Sequence, residues 1–362
     1  MKITSVEAIP LYIPLKESRP ALPQARSSAD HTVIRVETDE GITGIGEAFR
    51  FAPRSMSTIV EEVLAPILIG EDPCAIELLW NRMYRQTFRY GRAGIVLHAI
   101  SGVEVALWDI LGKTCGKPLA ALLGGATKRD ITAYASLHKL ATPEDTAETA
   151  LAMLEMGYTA LKLHERDLAS VEAVRKAIGP DVRLMVDASG AWSLPESRRM
   201  AAAMNDLGVY WLEEPLLNMD DYEGLASLRG HDRLRIAAGE NEYTPWGFRT
   251  LLEAQAVDVV QPDVIKAGGV SATRKILAMA IAHGAEVCTH SFYFGPGVAA
   301  TLHTSLATTE CSMIEINPHD LTLDFMDPPL RPVNGRLTLP EAPGLGVTLI
   351  DDVVAKHDQR AR

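Results

Sequence analysis

The sequence predicts an α/β protein in which a (β/α) barrel follows a separate α+β unit. Three observations predict it. The first third alternates as strands and then turns helical, whereas from about residue 131 short apolar strands alternate with helical stretches. Seven of the later strands end in an ionisable or metal-binding residue: His164, Asp187, Glu213, Glu240, Asp263, His290 and Glu315, spaced 23 to 27 residues apart, about one βα unit. An open sheet would string such residues along an edge, with a shared site only at a switch point, while a closed barrel rings them around one mouth. Seven consecutive strands therefore favour closure.

In chain order, residues 2–13, 32–38 and 43–48 alternate as strands, the last two joined by Asp39-Glu40-Gly41. The glycines of GITGIG (Gly41–Gly46) are wrongly spaced for a nucleotide loop and read as a hairpin. Two polar stretches, Lys16–Asp30 and Phe49–Ser57, contain Arg19, Arg26, Arg50 and Arg54 and read as loops. Helical patterns cover Ile76–Arg89 and Leu97–Leu111. Thr142-Pro143-Glu144-Asp145 opens a further helix, with a Thr cap, Pro in the first turn and acids at the positive dipole end. Gly157 closes it, and YTALKLH follows as a strand. RLMVDAS, VYWLEEP, RIAAGE, VDVVQPD, AEVCTHS and SMIEIN repeat the unit.

A chain of 362 residues has room for two domains or one large barrel with an attachment. The net charge of 35 − 47 = −12 argues against nucleic-acid and anionic-membrane partners, which want a basic face. Cys74, Cys115, Cys288 and Cys311 show no CxxC spacing and read as free thiols in a reducing compartment. The start, MKITSVEAIPLYIPL, is broken by Pro10 and Pro14 and lacks the apolar run of a signal peptide. No window reads as a membrane span, so the expected location is the cytoplasm.

On the strand ALKLHE, Lys162 and His164 share one face and Leu161 and Leu163 the other. Asp187, Glu213 and Glu240 end three adjacent strands and would sit side by side. A helix cap or an arginine partner could account for any one of them, but three buried like charges in register repel and are costly to desolvate. A hard divalent cation resolves this, and all-oxygen ligation suits Mg²⁺, with Mn²⁺ as the usual substitute. Alternation lets only one of Glu213 and Glu214 face inward; it is Glu213 if Trp211 fills the barrel. Asp263 and His290 end neighbouring strands, and a carboxylate beside an imidazole fixes its tautomer and raises its basicity, as acid–base chemistry requires.

This order of residues resembles the enolase superfamily and, more narrowly, the mandelate racemase group. The similarity runs through GITGIGEA, SGVEVALWDILGKTCGKPLAALLGG, WLEEP, GEN at 239–241, QPDVIKAGG and PEAPGLG. It implies a modified (β/α)8 barrel over residues 126–317. It also implies a capping domain built from residues 1–125 and completed by the tail 318–362. It makes Asp187, Glu213 and Glu240 the Mg²⁺ ligands and Asp263–His290 the acid–base dyad, with Lys162 and His164 on the opposite face of the substrate. Glu315 would donate a hydrogen bond to the substrate carboxylate. The superfamily pairs a Lys or His base with Mg²⁺ to stabilise an enediolate. The commoner motif of the group is K-x-K; here His164 replaces the second Lys, and Lys162 is expected to clamp the carboxylate and to depress the His164 pKa.

The expected activity is α-proton abstraction from a hydroxy carboxylate, with dehydration of a sugar acid, aldonate or aldarate, to a 2-keto-3-deoxy acid. Arginines in the loops suit a polyhydroxylated, diacidic substrate. Bases on both faces keep a racemase, epimerase or cycloisomerase as the alternative. A Schiff-base aldolase using Lys162 has no need of three carboxylates, and a non-catalytic binding protein has no need of a full set of catalytic groups. Relatives imply a homo-oligomer.

Overall fold

A computed structural model of the chain describes residues 1–16, 28–230 and 234–361. Arg19 and Arg26 of the first polar loop therefore lie outside the described residues. The N-terminal unit is an antiparallel sheet of β1 (Ile3–Pro14), β2 (Ser28–Thr38) and β3 (Thr43–Ala48). It packs on the helices Ile76–Gly91 and Ile95–Cys115. The glycines of β3 serve contact with a helix as well as a hairpin: a Cβ on Gly46 would lie 2.1 Å from the Gly102 carbonyl oxygen. The stretch Phe49–Ser57 is not all loop, because helical turns Pro53–Thr58, Ile59–Leu64 and Ala65–Leu68 run on from it. Pro53 and Pro66 hid them, since proline reads as a breaker although both stand in first turns here. By length and composition Ile95–Cys115 could cross a membrane, contrary to the sequence reading; 83% of its apolar window is buried, and it is a core helix.

Eight parallel strands follow: β4 (Asp130–Leu137), β5 (Ala160–Leu163), β6 (Arg183–Asp187), β7 (Trp211–Glu213), β8 (Arg235–Ala238), β9 (Val259–Val260), β10 (Glu286–Val287) and β11 (Met313–Ile316). They pair in the order β10-β9-β8-β7-β6-β5-β4-β11, and a parallel bridge from Thr289 to Ile314 joins the two ends into a barrel. Among the described residues, helices follow the first seven strands, while β11 leads into the tail. The Thr142 side chain caps the first of these helices by accepting from the Asp145 amide at 3.1 Å.

The tail serves both units. Arg336–Thr338 pairs antiparallel with the start of β4, whereas Leu321 bridges Leu15, Asp358 bridges Leu11 and Arg360 pairs with Glu7 at 3.1 Å. Leu161 and Leu163 face the layer between strands and helices. Inside the barrel Tyr134, Ala160, Met185, Trp211, Ala237, Val259, Cys288 and Met313 form an apolar floor.

Candidate active site

The mouth begins two residues beyond that floor. Side chains alternate along a strand, so a floor residue is followed on the same face by its second neighbour. Ala160 leads to Lys162, Met185 to Asp187, Trp211 to Glu213, Cys288 to His290 and Met313 to Glu315. Trp211 is wholly buried in the floor and donates from Nε1 to Glu213 Oε2 at 3.0 Å, so Glu213 faces inward. Glu214 is not turned outward, however. Its φ of 41° takes it off the strand path, and its buried carboxylate accepts from Asn241 Nδ2 at 2.7 Å.

Asp187, Glu213 and Glu240 each bring an oxygen within 4.8 Å of the others. Three carboxylates converging at this spacing supply an all-oxygen donor set that fits a hard divalent cation. Lys162, fully buried, lies beside them with Nζ 2.6 Å from Glu213, 2.9 Å from Glu315 and 3.6 Å from Asp187. Burial disfavours its charge, but Glu213, Glu315 and Asp187 outweigh that and hold the ammonium well above its usual range. A Schiff-base lysine needs the opposite shift. Burial pushes Glu213 up to about 7 despite Lys162. For Asp187 burial is overcome by Lys162 and His164, which hold it at about 2.

Two imidazoles reach this cluster across the mouth. His290 Nδ1 donates to Asp263 Oδ2 at 2.6 Å, and its Nε2 lies 2.7 Å from Glu240 and 3.5 Å from Glu315. Burial opposes the imidazolium, but Glu240 and Glu315 outweigh it and raise the His290 pKa well above its usual value. Asp263 also accepts from the Tyr293 hydroxyl and from the Ile265 amide at 2.8 Å. His164 Nδ1 donates to the Leu137 carbonyl at 2.7 Å, which leaves Nε2 facing Asp187 at 3.2 Å.

One expectation is corrected. The His164 pKa is raised, not depressed: burial and Lys162 lower it, but the Asp187 contact outweighs both. Within the protein Glu315, expected to donate to a substrate carboxylate, accepts. Burial raises its pKa, yet Lys162 and His290 reverse that, and the carboxylate accepts from the Ser291 amide at 3.3 Å.

The structure adds residues that sequence reasoning passed over. Gln261 donates from Nε2 to Glu213 at 2.8 Å; it stands two before Asp263, and that spacing could have found it. Lys266, buried, donates to Asn241 Oδ1 at 2.7 Å and lies over the Phe49 ring at 4.7 Å. Gln261 and Lys266 belong to QPDVIKAGG and Asn241 to GEN, segments that carry the resemblance but gave these positions no role. At the rim, Arg50 lies between the Phe51 and Phe292 rings, at 5.2 and 5.4 Å.

Comparison with known proteins accords with this architecture. Residues 4–124 match the mandelate racemase / muconate lactonizing enzyme N-terminal domain, and residues 145–353 match the enolase C-terminal domain-like family. An arabinonate dehydratase of Saccharolobus solfataricus is 32% identical, covering 96% of both chains. An L-rhamnonate dehydratase of Saccharopolyspora erythraea is 36% identical, over 89% of this chain and 83% of that protein. The crystal structure of the 3,6-anhydro-D-galactonate cycloisomerase of Zobellia galactanivorans superposes with a TM-score of 0.89 at 30% identity, covering 99% of this chain and 100% of the other.

Proposed function

This chain belongs to the mandelate racemase / muconate lactonizing enzyme family of the enolase superfamily, and from that premise we propose that it is a Mg²⁺-dependent sugar-acid dehydratase, converting an aldonate or aldarate to a 2-keto-3-deoxy acid. The observation that carries the reading is the pair of imidazoles on either side of three converging acids, with Nε2 of His164 3.2 Å from Asp187 and Nε2 of His290 2.7 Å from Glu240. Asp187, Glu213 and Glu240 would hold the metal, with Mn²⁺ as a substitute, and when bound it supplies electrophilic stabilisation of charge on the substrate carboxylate. Lys162 faces the charge that develops there when the α-proton leaves. His164, its tautomer set by the Leu137 carbonyl, presents Nε2 as the base. His290, protonated and oriented by Asp263, delivers its proton to the β-hydroxyl so that it departs as water.

Dehydration is supported by the names of the two dehydratases. The isomerase alternative is supported by bases on both sides and by the cycloisomerase neighbour. The test is a screen of aldonates and aldarates with Mg²⁺, scored for 2-keto acid formation and repeated in D₂O. Release of 2-keto acid is expected. Exchange at the α-carbon with inversion and no loss of water would overturn dehydration in favour of epimerisation. The four free thiols support placement in the cytoplasm. Homo-oligomeric assembly is part of the same proposal and is checked by light scattering.

A further inference from the structure

The two dyad residues are followed by equal lengths of chain. Residues 264–268 connect Asp263 to the helix Gly269–Ala282, and residues 291–295 connect His290 to the helix Pro296–Leu306. Neither helix has a cap of its own, since the N-cap positions are Gly268 and Gly295 and no side chain there bonds the first turn. A helix start leaves amide N–H groups without partners, and burial makes that costly. Both starts are satisfied by acids of the N-terminal unit. Glu104, on the helix Ile95–Cys115, accepts from the Val270 amide at 2.7 Å and the Ser271 amide at 2.9 Å. Glu47, on β3, accepts from the Gly297 amide at 2.9 Å and from His31 at 2.8 Å. Glu47 and His31 are each 2% exposed, and Glu104 is fully buried.

The glycines fit this arrangement. A Cβ on Gly269 would stand 2.1 Å from Glu104, and one on Gly295 would stand 2.5 Å from Glu47. The first connection is held at a second point, where Ser101 Oγ accepts from the Gly268 amide at 2.9 Å.

We propose that Glu47 and Glu104 are positioning residues: as caps supplied by the N-terminal unit, they fix the starts of both helices and thereby the register of His290 on Asp263. The proposal rests on the reading that this dyad does chemistry. Its mechanism is preorganisation, since carboxylates that hold catalytic groups through their neighbours act on turnover without touching substrate.

The test uses the full-length protein labelled with ¹⁵N-histidine, observing the His290 Nδ1 proton in the hydrogen bond to Asp263. Glu47→Gln and Glu104→Gln are compared with Asp109→Asn. Asp109 is also buried and accepts two amides, Ile45 and Leu345, but it caps neither helix. Both glutamine variants are expected to shift or broaden the His290 signal and to lower kcat by about 10-fold with KM unchanged within about 2-fold. Asp109→Asn is expected to lower the melting temperature with the signal in place. Ser101→Ala, which loosens one connection and spares both carboxylates, is expected to move the signal less in the same direction, and it decides the matter if a glutamine variant does not fold. An unmoved His290 signal in the folded variants overturns the proposal. A moved signal in a protein that dehydrates no sugar acid overturns only the functional reading.

Discussion

The floor and the mouth of this barrel are built by the same strands, facing the same way, two residues apart. The floor holds Trp211, Met185 and Met313; the mouth holds Glu213, Asp187 and Glu315. The floor gains stability by excluding water and filling space. The mouth is largely buried as well, with only His164 and Glu240 partly exposed, but it is satisfied only by setting Lys162 and two imidazoles against a larger number of acids. Buried ion pairs stabilise weakly once desolvation is counted, and apolar side chains of similar size often do as well. A layer of charge kept directly above a layer of packing is therefore explained by chemistry, and variants in the two layers should fail in different ways.

The largest effect is expected at the mouth. His290→Asn keeps the volume and loses the proton donor, so kcat should fall by about four orders of magnitude, roughly 5 kcal/mol, at the upper end for acid–base catalysis. Thermal unfolding should shift only by the stability that the raised His290 pKa contributes, far less than turnover. Turnover within tenfold of the parent would remove His290 from the chemistry and with it half of the contrast. The floor should answer in stability. Trp211→Ala opens a cavity in a fully buried position and should cost about 3–5 kcal/mol in urea unfolding. A loss below about 1 kcal/mol would mean that the floor is not the packed base on which Glu213 stands.

A third comparison uses the metal. A cation that binds only the folded mouth stabilises by mass action, about 2.7 kcal/mol at a hundred times its dissociation constant. Unfolding followed with Mg²⁺ and again with chelator should show that gain in the parent and in Trp211→Phe, but not in Asp187→Asn. An equal gain in Asp187→Asn would detach the three acids from metal binding.

Much of this site was legible because barrel strands place function at their ends. The positions of His164, Asp187, Glu213, Glu240, Asp263, His290 and Glu315 could be read from period and spacing alone. What could not be read depends on departures from ideal strands and on contacts across the chain. Glu214 enters the cluster through a positive φ, which alternation does not anticipate. The sign of the His164 shift depends on whether Asp187 or Lys162 wins, and only the 3.2 Å contact decides that. Glu47 and Glu104 look like ordinary helix and strand acids until the fold brings them to amides some 250 and 166 residues away.

The smallest effect separates two kinds of buried histidine. At the mouth, acids outweigh burial and raise the pKa of His164 and His290. Away from it, burial is unopposed by any acid. Burial and then Lys266 push His98 down to about 3, and burial pushes His303 down to about 4 although it donates to the Leu345 carbonyl. His303 Nδ1 accepts from the Ala120 amide at 3.1 Å, so a proton there would break that bond. In the unfolded chain all four titrate near 6.5. As pH falls below that value, unfolded His98 and His303 take up protons that the folded protein refuses, so stability is lost. Between pH 7.5 and pH 5 the loss is about 2 kcal/mol for each ring. His290 has the opposite sign: its raised folded pKa contributes stability that is fully present below 6.5 and is lost as pH rises through the folded value. Urea unfolding at the two pH values should therefore show His98→Phe and His303→Gln recovering about 2 kcal/mol each at pH 5, while His290→Asn loses ground there. The same pH dependence in the parent and all three variants would erase the distinction between His290, which holds a proton, and the two rings that exclude one.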